Sequence, residues 1–263
     1  MIALGLIGVL IMGLVLSLLG AGGSILTLPI LVYLFSIPVV EATSYSLLIV
    51  GFTALIGSIG HVIRKSIDIK TAIAFGVPSI LGVLLSRQYF LPTVPSEFNL
   101  GISLTKDFIV MTIFSFLMIT ASIMMIKKND YVLDIKKIST KNKYLLIIKG
   151  LVVGSVTGFV GAGGGFLIIP TLVLFAGLKM KVAVGTSLII IAFKSIIGFS
   201  NDLLNGFQTN WVFILYVILF TILGVILGQY FFKKLADDQL KSFFGFTLLA
   251  IGLFIFVEQI IRI

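Results

Sequence analysis

One lysine interrupts the apolar run AVGTSLIIIAFKSIIGFSND, residues 183–202. Lys194 stands eight residues after Thr186 and eight before Asp202, about two helical turns from each. A charge inside such a run is costly and marks a functional position by default. Its ammonium can neutralise an oxyanion or respond to a coupled proton; the alternative is an internal pair with Asp202, which lies on a similar face. The second group of candidates is made of glycine. LLGAGGSILTLP (residues 18–29) and FVGAGGGFLIIP (159–170) place Gly20, Ala21, Gly22, Gly23 and Ser24 in one cluster, and Gly161, Ala162, Gly163, Gly164 and Gly165 in the other. A helix broken at such a cluster restarts with free N–H groups and the positive end of its dipole, which suits an anion. Ser44, Ser46, Thr186 and Ser187 follow each cluster and can donate to oxyanion oxygens, or serve as helix caps and interhelical hydrogen bonds. His61 and Asp202 are the candidates for proton relay or ion coupling. Arg87 and Glu258 lie near the ends of apolar runs and read as snorkelling side chains.

Other chemistries are excluded by what the chain lacks. It has no cysteine and one histidine, so a thiolate or histidine-rich metal site cannot be built. Gly20-x-Gly22 is followed by Ile25 where a dinucleotide fingerprint needs its third glycine, and no G-x-x-x-x-G-K phosphate loop occurs. No cofactor is called for. An intramembrane enzyme is the competing class, with little left to form a nucleophile–base pair.

The elements that must carry these residues are set by composition. Of 263 residues, 59% are hydrophobic and 11% charged, against about 25% charged in soluble domains. Runs at 42–62, 71–90, 106–126, 181–203, 210–232 and 241–262 approach or exceed the roughly 20 residues that cross a bilayer. A polytopic all-α membrane protein is expected, with the lipid bilayer as its surroundings. The net charge of +9 sits mainly between the runs, where it signals topology and not a nucleic-acid partner.

Shifting the sequence by 141 residues lays Gly20 on Gly161, Pro29 on Pro170, Ala42 on Ala183, Ser46 on Ser187 and Gly57 on Gly198. The match resumes at ILGVLLSRQYF (80–90) against ILGVILGQYF (222–231), one residue shorter in the second copy. The chain therefore reads as a tandem duplication: a first repeat at 1–126, a basic connector at 127–143 and a second repeat at 144–263. Each repeat holds about five helical segments: a first run, a short run after the glycines (24–36; 165–177) and three full spans. The short runs, about 20 Å of helix, fall short of the hydrocarbon core. The bland reading of the glycines, close helix packing, stays beside the substrate-site reading.

Lysine and arginine in the short loops give the orientation. Lys127, Lys128, Lys136, Lys137, Lys141, Lys143 and Lys149 put the connector in the cytoplasm, and Arg64, Lys65 and Lys70 put loop 63–70 there too. Loops 37–41, most of 91–105 and 203–209 then fall outside, with 233–241 inside. The same loop faces opposite sides in the two halves, which makes them inverted-topology repeats of the kind many secondary transporters use.

The doubled GAGG…P, with AVGTSL (183–188) and EATSYSLL (41–48) and the His61…Asp68 pair after the next helix, resembles the TauE/SafE family of membrane transporters over nearly the whole chain. The resemblance implies transport, export before uptake, of sulfite, thiosulfate, an organosulfonate or a related anion across the cytoplasmic membrane. Uptake or a channel is the alternative. Asp202 stands where the first half has His61, a departure from any shared role. A coupling ion, proton or sodium, is expected; oligomeric state is left open.

Overall fold

A computed structural model describes residues 2–20, 22–93, 97–99, 103–126, 140–161, 163–232 and 236–261. Most of connector 127–143 lies outside the described residues, as do Ala21 and Ala162. The first five helices are α1 (Ile2–Leu19), α2 (Gly22–Pro29, continued by a π-helical turn Ile30–Leu34), α3 (Val39–Ile63), α4 (Ile69–Leu85, continued by a π-helical turn Ser86–Phe90 and a last turn Leu91–Thr93) and α5 (Lys106–Ile126). The next five are α6 (Thr140–Val160), α7 (Gly165–Leu174), α8 (Met180–Leu204), α9 (Trp211–Phe232) and α10 (Asp237–Ile261). Six of them, α3, α4, α5, α8, α9 and α10, are long and apolar enough to cross a membrane.

The structure is not wholly helical. A small antiparallel hairpin, β1 (Glu97–Asn99) against β2 (Ser103–Thr105), precedes α5 in the stretch expected to be plain loop. It is too short to show the alternation that reveals strands in a sequence.

α3 and α8 are the most buried spans and pack on each other at the centre. Around them the remaining contacts come in pairs. α1 packs along α9 and α6 along α4; α5 packs along α10; the short helices α2 and α7 touch. Asp107, in the first turn of α5, accepts from the N–H of Val39 at the start of α3; Asp237, in the first turn of α10, accepts from Lys181 at the start of α8. Each carboxylate sits at a helix N-terminus, where the dipole favours it.

The close pairings depend on small residues. Gly150, Gly154 and Gly158 on α6 meet the backbone of α4 at Phe75, Ser79 and Val83, and Gly82 returns the contact. Gly13 on α1 meets Thr221 on α9, with Gly224 and Gly228 opposite Leu10 and Leu14. Between helices in lipid there is little hydrophobic drive, so van der Waals contact of backbones must hold the pair. Outside, α9 presents Val212, Leu215, Leu219, Leu223 and Ile226 as an exposed apolar stripe, a surface that lipid covers.

Candidate functional site

α6 ends at Gly161, which adopts left-handed backbone (φ 72°), and the chain reaches α7 through Gly163 (φ 62°) and Gly164 (φ 75°). Such angles cost an L-residue roughly 1–2 kcal/mol, and glycine adopts them freely. Gly164 caps α7 without any side chain, so the first-turn amides and the positive dipole end lie unshielded by a Cβ.

Lys194 reaches this turn from α8. It is fully buried, and its Nζ donates to Thr157 Oγ1 at 2.9 Å. A Cβ built on Gly164 would lie 2.6 Å from that Nζ, so the ammonium rests against the bare Cα of Gly164. The Thr157 hydroxyl in turn donates to the Gly154 carbonyl at 3.2 Å. Among the described residues no carboxylate pairs with Lys194. The expected alternative, a Lys194–Asp202 pair, is therefore not what forms, because Asp202 is held by another cation. A buried cation beside a helix N-terminus attracts a negative ion, and its own burial is costly until one arrives.

The first glycine cluster repeats the left-handed closure of its leading helix but not the glycine turn after it: Gly22 and Gly23, at the register positions of Gly163 and Gly164, already belong to α2, and no charge faces them among the described residues. Gly20 is left-handed (φ 67°) and closes α1 with its N–H on Leu16 O at 2.7 Å. In the 141-residue register Thr53 stands at the place of Lys194 and Leu16 at that of Thr157. The Thr53 hydroxyl turns back to Ile49 O at 2.6 Å. Of Gly22 and Ser24, the structure describes only the helical backbone; Ala21 and Ala162 lie outside the described residues. Gly23 packs on Leu16, and Gly165 is the first residue of α7. Each break also packs on the opposite half: Gly20 on Val184 at the start of α8, Gly161 on Thr43 at the start of α3.

The other predicted residues disperse. Thr186 accepts from the Asp68 N–H at 3.0 Å, while the Asp68 side chain caps α4 through the Thr71 N–H. Ser187 donates to Val184 O at 2.8 Å and lies 3.5 Å from Gly20 O. The buried Ser46 hydroxyl has no hydrogen-bond partner among the described residues. His61 is buried, its Nδ1 3.0 Å from Ser66 Oγ and close to Gly185.

Ser44 and Asp202 meet at a residue that the sequence reading leaves at a span end. Arg87 does not snorkel: it is 4% exposed. Its Nε donates to Asp202 Oδ1 at 2.6 Å, and its Nη2 pairs with Asp202 Oδ2 and donates to Ser44 Oγ at 2.7 Å. Ser44 donates to Asp202 Oδ2 at 2.7 Å, and Arg87 Nη1 reaches the Gly158 carbonyl on α6 at 3.2 Å. These groups form the floor of a cavity of about 470 Å³, walled by Leu91, Asn205 and Phe207 among others. The visible signal for Arg87 is the length difference between the two copies of ILGV…QYF. With Ser86 opposite Gly228 and Gln88 opposite Gln229, Arg87 is the surplus residue. The helix accommodates it as a π-helical turn, with the Leu91 N–H on Ser86 O, a common way to hold one extra residue at a functional position.

The family model described as "Sulfite exporter TauE/SafE" matches residues 4–255. This chain belongs to the TauE/SafE family. The probable membrane transporter protein YunE of Bacillus subtilis is 26% identical over 269 residues, covering 95% of this chain and 96% of that one. The probable membrane transporter protein MJ0441 of Methanocaldococcus jannaschii is 33% identical over 195 residues, 72% and 67% of the two chains. A probable membrane transporter protein of Xylella fastidiosa (strain Temecula1) is 24% identical over 254 residues, with 93% and 91% covered. No solved structure matches. With its apolar helices, this TauE/SafE chain is a multi-pass membrane protein and a membrane transporter.

Proposed function

We propose that the chain is a secondary transporter of a small oxyanion in the cytoplasmic membrane, moving sulfite, thiosulfate or an organosulfonate by alternating access, with export as its direction. The observation that carries this reading is Lys194: a fully buried lysine on a membrane helix, bonded to Thr157 and set against Gly164 at the N-terminus of α7. A sulfur oxyanion supplies the missing counter-charge and accepts from the ammonium and the first-turn amides together. The paired contacts α1 with α9 and α6 with α4 support two inverted halves, 1–126 and 144–263, joined by connector 127–143. Their interface carries the glycine breaks, and a proton or sodium ion couples their exchange. His61, buried in a membrane helix, is the candidate proton relay.

Counterflow in proteoliposomes of the purified chain tests this with sulfite, thiosulfate, sulfoacetate and sulfate. Exchange of at least one sulfur anion is expected; no exchange of any anion would overturn the proposal.

Gly164→Ala gives a local check. The new Cβ meets a strained φ and crowds both Thr157 and Lys194 Nζ. Gly177→Ala has a similar φ of 67° with nothing within 4 Å of its Cβ. Counterflow is expected to fall tenfold or more in Gly164→Ala and by less than twofold in Gly177→Ala, with both variants monodisperse in detergent. Equal losses would mean that backbone strain, not the shape of the anion site, is being read.

A further inference from the structure

The cavity floor is built from both halves of the chain: Arg87 comes from α4, Ser44 from α3 and Asp202 from α8. The Asp202 side chain is 11% exposed and the Arg87 side chain 2%, so the carboxylate stands on the open side of the guanidinium. Behind it the contacts continue inward. Arg87 Nη2 lies 3.4 Å from Thr43 Oγ1; Thr43 packs on Gly161; the turn that Gly161 opens ends at Gly164, against Lys194. Asp202 and Lys194 ride on the same helix, about 12 Å apart along its axis. The buried ammonium is thus separated from the cavity by the Arg87–Asp202 pair.

The corresponding place at the other end of the bundle has no arginine–aspartate pair among the described residues. There Gln229 donates from Nε2 to the Gly57 carbonyl at 3.2 Å and stands against Gly60, and His61 occupies the register position of Asp202. The ionic arrangement depends on the surplus residue in α4, and α9 has no counterpart for it.

A guanidinium fork binds a carboxylate through two parallel N–H···O bonds, and a sulfite or sulfonate offers the same pair of oxygens. Resting on the reading of the chain as an oxyanion transporter, we propose that Arg87 is a second anion site between the cavity and Lys194, and that Asp202 is its resident competitor. With no anion present the pair closes the floor. An anion arriving in the cavity takes the Nε and Nη2 donors, the carboxylate swings toward water, and the two halves lose one of the bonds that join them at this end. Ser44, which donates to Asp202 and accepts from Arg87, is left to donate to the incoming oxyanion.

Thiosulfate counterflow separates this role from that of a structural ion pair. Asp202→Asn weakens the competitor and should lower the KM for thiosulfate about tenfold. Arg87→Gln should lower kcat/KM a hundredfold or more; should that variant fail to fold, Arg87→Lys, which keeps the charge and loses the fork, should raise KM tenfold or more. Arg87→Asp combined with Asp202→Arg restores an ion pair and should yield monodisperse protein that does not transport. An unchanged or raised KM in Asp202→Asn overturns the proposal, as does transport by the exchanged pair. The cysteine-free chain gives a readout that needs no substrate. Thr43→Cys, behind the floor, should react in detergent with the neutral methyl methanethiosulfonate at least ten times faster when Asp202→Ala is added. An unchanged rate means that the pair closes nothing and overturns the latch even if flux is normal. Absence of flux for every anion in the unaltered chain refutes the oxyanion-transporter reading instead.

Discussion

Lys194→Met should abolish thiosulfate or sulfite counterflow while leaving the protein at least as stable as before. Removing one partner from a buried charge pair typically costs about 2–5 kcal/mol. At about 1.4 kcal/mol per decade, the expected loss of anion binding is roughly 30-fold to a few thousandfold. Stability should move the other way. In the empty protein the ammonium is buried with a threonine hydroxyl and no carboxylate partner among the described residues. An apolar side chain of similar length therefore removes an uncompensated charge. Thr157 keeps a bond after the change, because its hydroxyl also donates to Gly154 O. The measurement is a pair of numbers, counterflow rate and midpoint of thermal unfolding in detergent. Lost flux with an unchanged or raised midpoint is the expected result. A midpoint lowered by several degrees would make Lys194 a structural residue.

The second large effect is on assembly. Gly154→Leu places a Cβ into the Ser79 carbonyl of α4, and the atoms in the way are backbone, which cannot rotate aside as a side chain can. α4 and α6 would have to separate along their length, forfeiting the van der Waals contact that holds membrane helices together. No monodisperse protein is expected from this variant. Gly57→Ala is the control within α3: its nearest neighbours, Leu188 and Val225, lie 3.7–3.8 Å from the new Cβ, ordinary contact distance. Normal yield and flux are expected there. Normal yield of Gly154→Leu would show that α4 and α6 are not packed at backbone distance.

The long helices are legible in the sequence because a bilayer demands long apolar runs, and six of these became α3, α4, α5, α8, α9 and α10 with ends moved by a few residues. The short helices are legible because each follows a glycine cluster and precedes a second apolar run. Lys194 stands out for the same reason: a charge in hydrocarbon is costly, and the sequence leaves an anion or an internal pair with Asp202 as its explanation. Arg87 is different. Four residues from the apolar run's end it looks wetted, and only tertiary packing brings it to Asp202, 115 residues away. The hydroxyls read as oxyanion donors or as caps and interhelical bonds, and the sequence does not say which. Ser44 and Ser187 hold corresponding stretches of the two copies, yet one joins a buried ion pair and the other turns onto its own helix. Sequence spacing fixes which helix carries a hydroxyl; it does not say which neighbour comes close enough to use it.

The solitary charge of Lys194 also has an electrical consequence. On the proposed reading, a monovalent anion bound at Lys194 cancels its charge, and the loaded site crosses the membrane field without moving net charge. The empty site then returns as a cation. A membrane potential is worth up to about 2.3 kcal/mol per elementary charge per 100 mV, and an interior-negative voltage would hold the empty site toward the cytoplasm. On the proposed reading, loading then begins from inside, so that voltage assists export beside the coupling ion, and Lys194→Met should remove that voltage dependence together with the flux.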